Sequence, residues 1–206
     1  IGAGGAGLSA AVTLHDLGRE VVVLEKMPMI GGNTVRAEGG INAAETPQQK
    51  KAGIPDTIDQ FYADTMKGGH NLNDPALVRT LTTHAKDAVA WLVSLGADLN
   101  TVGRAGGAKY PRAHRPTDGS AIGPEVIRVL WKAAKDRKMD VRTQTRATEI
   151  IMKDGRVAGV KATTKDGKVY TIDAKAVVLA TGGFGANQDM LVKYQPKLKG
   201  YATTNQ

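Results

Sequence analysis

Leu8, Ala11, Leu14 and Leu17 recur at the three- and four-residue spacing of a helical face, and Gly18 follows them with a left-handed stop. Gly7 to Leu17 therefore predicts a helix. Behind it, Glu20–Leu24 reads EVVVL, a continuous β-branched run that predicts a strand buried on both faces of a parallel sheet. Residues 27–56 then lose all periodicity and hold two glycine doublets, and so long an irregular stretch predicts a loop that lines a site. Apolar spacing returns in Ile58, Phe61, Tyr62, Thr65 and Met66, predicting a helix over Asp56–Met66 with Asp56 or Thr57 as its cap. The next helix starts at Asn73-Asp74-Pro75, with Asn73 or Asp74 capping and Pro75 in the first turn. It carries Leu77, Leu81, Ala85, Val89 and Leu92 as far as Gly96. Another begins near Pro124 with Val126, Ile127, Leu130 and Ala134 on its apolar side. Trp91 and Trp131 fall within these helices as core residues.

After Met139 the period changes to two. DVRTQT, TEIIM, RVAGVKAT and KVYTIDA are separated by Lys-Asp-Gly turns or short breaks, and predict short antiparallel strands joined by hairpins. Ala176–Ala180, in KAVVLATGG, closes the series as another apolar strand running into a glycine doublet. Helix, parallel-type strand, helical insert, antiparallel meander and parallel-type strand thus succeed one another in order.

Composition narrows the chemistry. The 206 residues are 41% hydrophobic, enough for a real core, and no run reaches the roughly 18 apolar residues of a membrane helix. The start shows no charged, apolar and small-residue targeting pattern, and no haem-attachment motif is present, so cytoplasm and periplasm both stay open. Absence of cysteine excludes disulfides, thiolate catalysis, zinc-thiolate sites and iron–sulfur clusters held by this stretch. The net charge of +8 is scattered, and aromatic residues make up only 4%, which argues against a nucleic-acid partner; an anionic cofactor, an acidic substrate or a solvated surface accounts for the charge. His15, His70 and His84 show no metal-ligand spacing. Glycine is the informative residue: there are 25, with doublets at 4-5, 31-32, 39-40, 68-69, 106-107 and 182-183 that bring backbone close to a ligand or make tight turns.

The first doublet belongs to IGAGGAG, where Gly2, Gly4 and Gly7 have the spacing of a dinucleotide-binding turn. Gly2 makes the turn, Gly4 lets backbone approach a pyrophosphate, Gly7 lets helix and strand pack, and the helix start offers free N–H groups to the phosphates. Glu25, at the end of the second strand and about 20 residues on, suits the two hydroxyls of an adenosine ribose and disfavours a 2′-phosphate. NAD and FAD both satisfy this much.

The residues beyond Glu25 resolve the choice. EKMPMIGGNTVRAEGGINA, DTMKGGHNLNDPALV, LGADL, RAHRPTDG and VVLATGGF, spread in this order through the whole chain, resemble the flavoprotein family of fumarate reductases, succinate dehydrogenases and aspartate oxidases. Within it the chain is most similar to soluble, flavocytochrome c-type fumarate reductases and their relatives such as urocanate reductase. The resemblance implies an α/β fold: a Rossmann-like FAD-binding domain with a parallel sheet and helices, a helical insert and an antiparallel β-meander. Residues 1–45 would form the dinucleotide and flavin segment, 56–138 the helical segment, 140–174 the meander and 175–185 the return strand. IGAGGAG has no strand ahead of it and YATTNQ ends without a stop signal, so the sequence reads as truncated at both ends, with the capping, substrate-binding domain beyond it.

Residue by residue, the resemblance implies that Gly2, Gly4, Gly5, Ala6 and Gly7 face the FAD pyrophosphate. Glu25, with Lys26 beside it, would meet the ribose, and Gly32, Asn33 and Thr34 the stretch between phosphate and flavin. Glu38, Gly39 and Gly40 would lie along the isoalloxazine, Ala147 would offer a backbone contact to adenine, and Thr181 and Gly182, with Gly183, would pack under the cofactor. Asn33 stands where membrane-bound succinate dehydrogenases carry the His that attaches FAD covalently, which implies non-covalent FAD and leans toward alkene reduction. Arg104 and Ala105 replace bulky Met residues close to substrate, so Arg104 either receives a carboxylate or is a solvated loop residue. His114 and Arg115 suit proton transfer and anion binding. The family's acid is an arginine, and its carboxylate-holding His, Thr and Arg residues fall beyond position 206, so His114 and Arg115 read as loop-structuring or interface residues and no catalytic residue is expected here. The implied activity is reduction of fumarate to succinate by hydride from flavin N5, with electrons from a haem or FMN domain or a partner. Urocanate, acrylate-type acids, a dehydrogenase or oxidase role, and a non-catalytic FAD or electron-transfer module are the competing readings.

Overall fold

The structure, a computed structural model, describes residues 1–205, and of the YATTNQ end Gln206 lies outside the described residues. Two compact units divide the chain: Ile1–Val35 together with the chain from Leu130 onward, and Arg36–Val129.

In the first unit, α1 (Gly5–Asp16) is capped by Gly4 in an extended conformation, with no side chain completing the cap. It ends as its glycine predicts, with Gly18 at φ +73° and the Arg19 N–H returning to the Leu14 carbonyl at 3.0 Å. The buried face is Gly7, Leu8, Ala11 and Val12. Leu17, expected on that face, is 67% exposed, for it is the cap that follows the last helical residue, Asp16.

β1 (Val22–Leu24) pairs in parallel with β5 (Asp140–Arg142). This corrects the reading of DVRTQT as an antiparallel meander strand: a period-two pattern reports which face is buried and carries no information on partner direction. Past the assigned strands the pairing continues, from the Glu25 N–H to the Arg142 carbonyl and from the Thr145 N–H to the Glu25 carbonyl, both 2.8 Å. The Gly2 N–H donates to the Leu24 carbonyl at 2.8 Å, laying residues 1–3 beside β1, and Ile1 is bonded on its other side to Val178 and Ala180. The order in space is β5, β1, residues 1–3, residues 178–180. Ala176–Ala180 is thus beside the sheet as expected but is not a buried strand: it forms no ladder of its own, and Val178 and Leu179 are 47% and 64% exposed.

The meander is β6 (Thr145–Lys153), β7 (Arg156–Thr164) and β8 (Val169–Asp173), antiparallel in that order. Asp154 and Gly155 make its first turn with φ of +51° and +74°, the two left-handed residues that a two-residue hairpin requires. Leu24, Val160 and Ala162 are buried together, with Ile1, Ala147, Tyr170, Ile172 and Val177 packed around them, so the meander closes over the end of β1. A short helix, α6 (Gln188–Tyr194), comes next with Asn187 as its cap.

The second unit holds a sheet that no hydrophobic pattern announced. β2 (Ile41–Asn42), β3 (Thr101–Gly103) and β4 (Ala113–Arg115) are antiparallel in the order β2-β4-β3, each too short to show alternation. Residues 27–56 are correspondingly less irregular than expected, for they also contain a 3₁₀ turn at Gly32–Arg36 and the helix α2 (Pro47–Lys51). The signal for α2 was present in Thr46-Pro47-Gln48-Gln49, where Thr46 and Gln49 form a reciprocal capping box around a first-turn proline.

Thr57 caps α3 (Ile58–Gly68) and Asp74 caps α4 (Pro75–Ser94), deciding both alternatives; Asn73 instead bonds the Thr65 carbonyl at 3.2 Å. Along α4 the buried residues are Val78, Thr82, Ala85, Val89 and Leu92, while Leu77 and Leu81 are 70% and 57% exposed. The expected face is right for the last three turns and one residue off in the first two, where Val78 and Thr82 alternate with the leucines and compete for the same spacing. α5 (Ile122–Asp136) starts two residues before the expected proline. Trp91 and Trp131 are half-buried, Trp131 with the Lys135 ammonium 5.8 Å from its ring centre, so neither is a core anchor. Among the described residues no helix is long and apolar enough to cross a membrane.

A buried polar network fixes β4. Arg112, 1% exposed, donates Nε and Nη2 to the two carboxylate oxygens of Asp56 at 2.9 and 2.8 Å, and Nη2 also reaches Asp64 at 2.7 Å. Gln49 Nε2 donates to the same Asp56 carboxylate and to the Pro111 carbonyl. Fully buried His114 has two backbone carbonyls on Nδ1, Arg112 at 2.9 Å and Ile41 at 3.2 Å, so Nδ1 carries the proton and Nε2 takes the Thr46 hydroxyl hydrogen at 2.8 Å. This bears out a structural part for His114.

Burial pushes the His114 pKa below its ordinary 6.5, outweighing the two carbonyl bonds that favour the charged ring. The unfolded chain therefore binds a proton that the native ring refuses, and stability is complete above about pH 6.5 and falls as the pH drops below it, by at most about 1.4 kcal/mol per pH unit. Denaturant midpoints measured between pH ~7.5 and ~5.5 should show this slope, and His114→Gln should flatten it.

Candidate cofactor site

The first unit gathers most of the expected cofactor residues at the carboxyl ends of its parallel strands. Gly2, at φ +101°, lies so close to the Ala180 carbonyl that no side chain fits, and Gly7 is packed against the Gly2 carbonyl in the same way. These contacts set α1 with its first turn at the strand ends. The N–H groups of Ala6 and Gly7 point out of that turn with no acceptor among the described residues, as the opening of a helix leaves them. Gly5 gives its N–H to the Thr34 hydroxyl at 3.0 Å, while Gly31 bridges to Gly4 and donates to the Ala3 carbonyl at 2.8 Å. Gly32, Asn33 and Thr34 are thereby held against the glycine turn.

Glu25 is buried to 7% exposure although it is a carboxylate. Its two oxygens each accept one backbone N–H, from Ala3 and from Met27, both at 2.8 Å. Each oxygen keeps a further lone pair, which is what two ribose hydroxyls would use. Lys26 is exposed next to it. Ala147 lies two residues past Thr145, which bonds the Glu25 carbonyl, and packs on Leu24, so the meander brings it to the same strand end. Thr181 approaches Gly2 from the far side, and Gly182 turns away at φ +72°.

Glu25→Gln tests this arrangement. An amide there must point its NH₂ at one of the two backbone donors, and the mismatch inside a buried site costs about 1–3 kcal/mol, so the FAD dissociation constant should rise by roughly tenfold or more. Flavin titration of the apo-protein reads it out.

Glu38, Gly39 and Gly40 belong to the second unit. A Cβ at Gly40 would come within 2.8 Å of the His114 carbonyl oxygen, so the loop lies hard against β4. Arg115, at the end of β4, donates Nη2 to the Glu38 and Gly39 carbonyls at 3.0 and 2.8 Å. It structures that loop, as expected of it. Arg104 and Ala105 line an open cleft of about 880 Å³ with Lys67, His70 and Lys109, and Arg104 Nε donates to the Ala108 carbonyl at 2.9 Å. Arg104 is otherwise exposed, which fits a solvated loop residue and a carboxylate receiver alike. His15 and His84 are exposed or half-buried beside Asp16 and Asp87. The Arg112 network had no local signature in the sequence, since Asp56, Asp64 and Arg112 come from separate stretches.

These features suit FAD on three counts: a glycine cradle that no Cβ can enter, free N–H groups at the start of a helix for the pyrophosphate, and a buried carboxylate with lone pairs left for hydroxyls. Comparison with known proteins agrees. The chain is 48% identical, over its full length, to a fumarate reductase (cytochrome) of Shewanella frigidimarina, of which it spans 36%. It is 46% identical over its full length to an NADH:fumarate oxidoreductase of Klebsiella pneumoniae and spans 22% of that protein. The open conformation of a flavocytochrome c3 fumarate reductase superposes on the whole chain with a TM-score of 0.96 at 42% identity, the chain covering 36% of it. The family model for the FAD binding domain matches residues 1–206, and the chain belongs to that FAD-binding family.

Proposed function

We propose that this chain is the FAD-holding part of an oxidoreductase that reduces fumarate to succinate, and that it holds the flavin without a covalent bond. The whole-length likeness to fumarate reductases carries the reading. Ala6 and Gly7 N–H groups hold the pyrophosphate, Glu25 takes the ribose hydroxyls, and Thr34, fastened to Gly5, keeps the intervening segment in place. Lys26, Gly32, Ala147, Thr181 and Gly182 complete the wall on the strand ends, and Glu38, Gly39 and Gly40 present backbone beside the ring. Asn33 favours non-covalent binding, because an amide nitrogen has its lone pair delocalised and is a poor nucleophile compared with imidazole. FAD, when bound, supplies the hydride for an alkene conjugated to a carboxylate. The proton donor and the carboxylate-holding residues are assigned to sequence beyond position 206, and a haem or FMN domain to electron delivery.

Reduced methyl viologen tests the reading with the full-length protein. Oxidation by fumarate and not by urocanate is the expected result, with flavin released into solution when the protein is denatured by acid. Preference for urocanate would overturn the substrate, and flavin precipitating with the protein would overturn the non-covalent attachment.

A further inference from the structure

Arg115 does more to the 38–40 loop than tether it. Each peptide is planar and trans, so a carbonyl shares its plane with the N–H of the next residue, and the two point in opposite directions. By gripping the Glu38 and Gly39 oxygens, Nη2 of Arg115 fixes two consecutive planes and turns the N–H groups of Gly39 and Gly40 away from itself. Neither N–H has an acceptor among the described residues. Gly40 has no room to swing inward to find one, since the His114 carbonyl and Ala113 already fill the place a Cβ would take.

The charge on Arg115 is equally uncompensated. No carboxylate pairs with it among the described residues, and its Nε is buried without a partner, so the side chain serves the two carbonyls while its Nε–H goes unused. A cation with neutral partners leaves its field at the loop. Two free donors backed by an unpaired guanidinium suit an acceptor that gains negative charge.

We propose that Arg115 is a positioning residue for the flavin: it holds the Gly39 and Gly40 N–H groups as a donor pair for an acceptor edge of the isoalloxazine, and its charge favours the electron-rich reduced ring. The inference rests on the proposed placement of residues 38–40 beside the flavin.

Arg115→Gln and Arg115→Lys, made in the full-length protein, test it by FAD titration and by the flavin midpoint potential from dye equilibration. With Gln, FAD binding should weaken about tenfold, and the potential should move to more negative values. Lys keeps the charge as a compact point and loses the fork that spans two carbonyls, so it should restore the potential while leaving binding several-fold weak. Wild-type affinity and potential in the Gln variant would overturn the proposal. Should that variant fail to fold, wild-type FAD affinity in a folded Lys variant would overturn it as well. Both readouts need only bound flavin, so a failure of fumarate turnover in the wild-type protein would sink the substrate reading and leave this test intact.

Discussion

Gly7→Ala is expected to abolish FAD retention and to lower stability by about 3 kcal/mol, the upper range for forcing atoms into a packed interior. The added methyl would overlap the Gly2 carbonyl oxygen, and a backbone oxygen in a strand-end turn cannot yield as the tip of a flexible side chain does. The only relief is for α1 to lift from residues 1–3. That movement carries the free Ala6 and Gly7 N–H groups away from the pyrophosphate position, so one methyl removes packing and anion binding together. Gly18→Ala is the control: nothing lies within 4 Å of its Cβ, and only the φ of +73° is strained, so a loss of about 1 kcal/mol with FAD retained is expected. Flavin absorbance after gel filtration and denaturant midpoints separate the two. Equal effects at both positions would show that conformational freedom, and not the close approach at Gly7, is what the turn needs.

Asp56→Ala should destabilise the protein by about 3–5 kcal/mol, as removal of one member of a buried ion pair does. Arg112 would be left buried with Asp64 alone, and Gln49 would lose a partner for Nε2. Converting both members, as Asp56→Leu with Arg112→Met, should recover part of the loss, because the buried guanidinium is gone and Asp64, its side chain 15% exposed, loses its cation but keeps the Lys109 N–H and the Gln60 amide as donors. A double variant as unstable as the single one would show that the network is needed for its hydrogen bonds, from Gln49 to Asp56 and from Arg112 to Asp64, and not for charge balance. The consequence for the site is local to the second unit: Arg112 precedes the Ala113–Arg115 strand that supports the Gly39-Gly40 loop.

Local rules carried much of the fold because they depend on neighbours in sequence. A helix announces itself through spacing and caps, and the stop at Gly18 and the cap of Asp74 on Ala76 and Leu77 ahead of a first-turn Pro75 are contacts within a few residues. The same holds for the hairpin at Asp154-Gly155. The two-residue β2 and three-residue β3 and β4 escaped because a strand that short displays no period, and its existence depends on hydrogen bonds to segments tens of residues away. Leu77 and Leu81 mark a related limit. Hydrophobicity alone could not choose between two adjacent apolar rows on one helix, and packing chose the row with Val78 and Thr82.

The site divides along the same line. The sequence by itself determined the chemistry: glycines at 2, 4 and 7, an acid at 25, an amide at 33 and a glycine pair at 39-40, because these are properties of residue type and short spacing. Tertiary structure alone decided what those residues do to one another. It buried Glu25 beneath two backbone donors, seated Thr34 on Gly5, ran β5 parallel to β1 so that Ala147 arrives at the same strand end, and aimed Arg115 at two carbonyls 76 and 77 positions away. Such pairings are fixed by the free energy of the folded whole, where burial and hydrogen bonding between distant segments outweigh any preference that one segment holds alone.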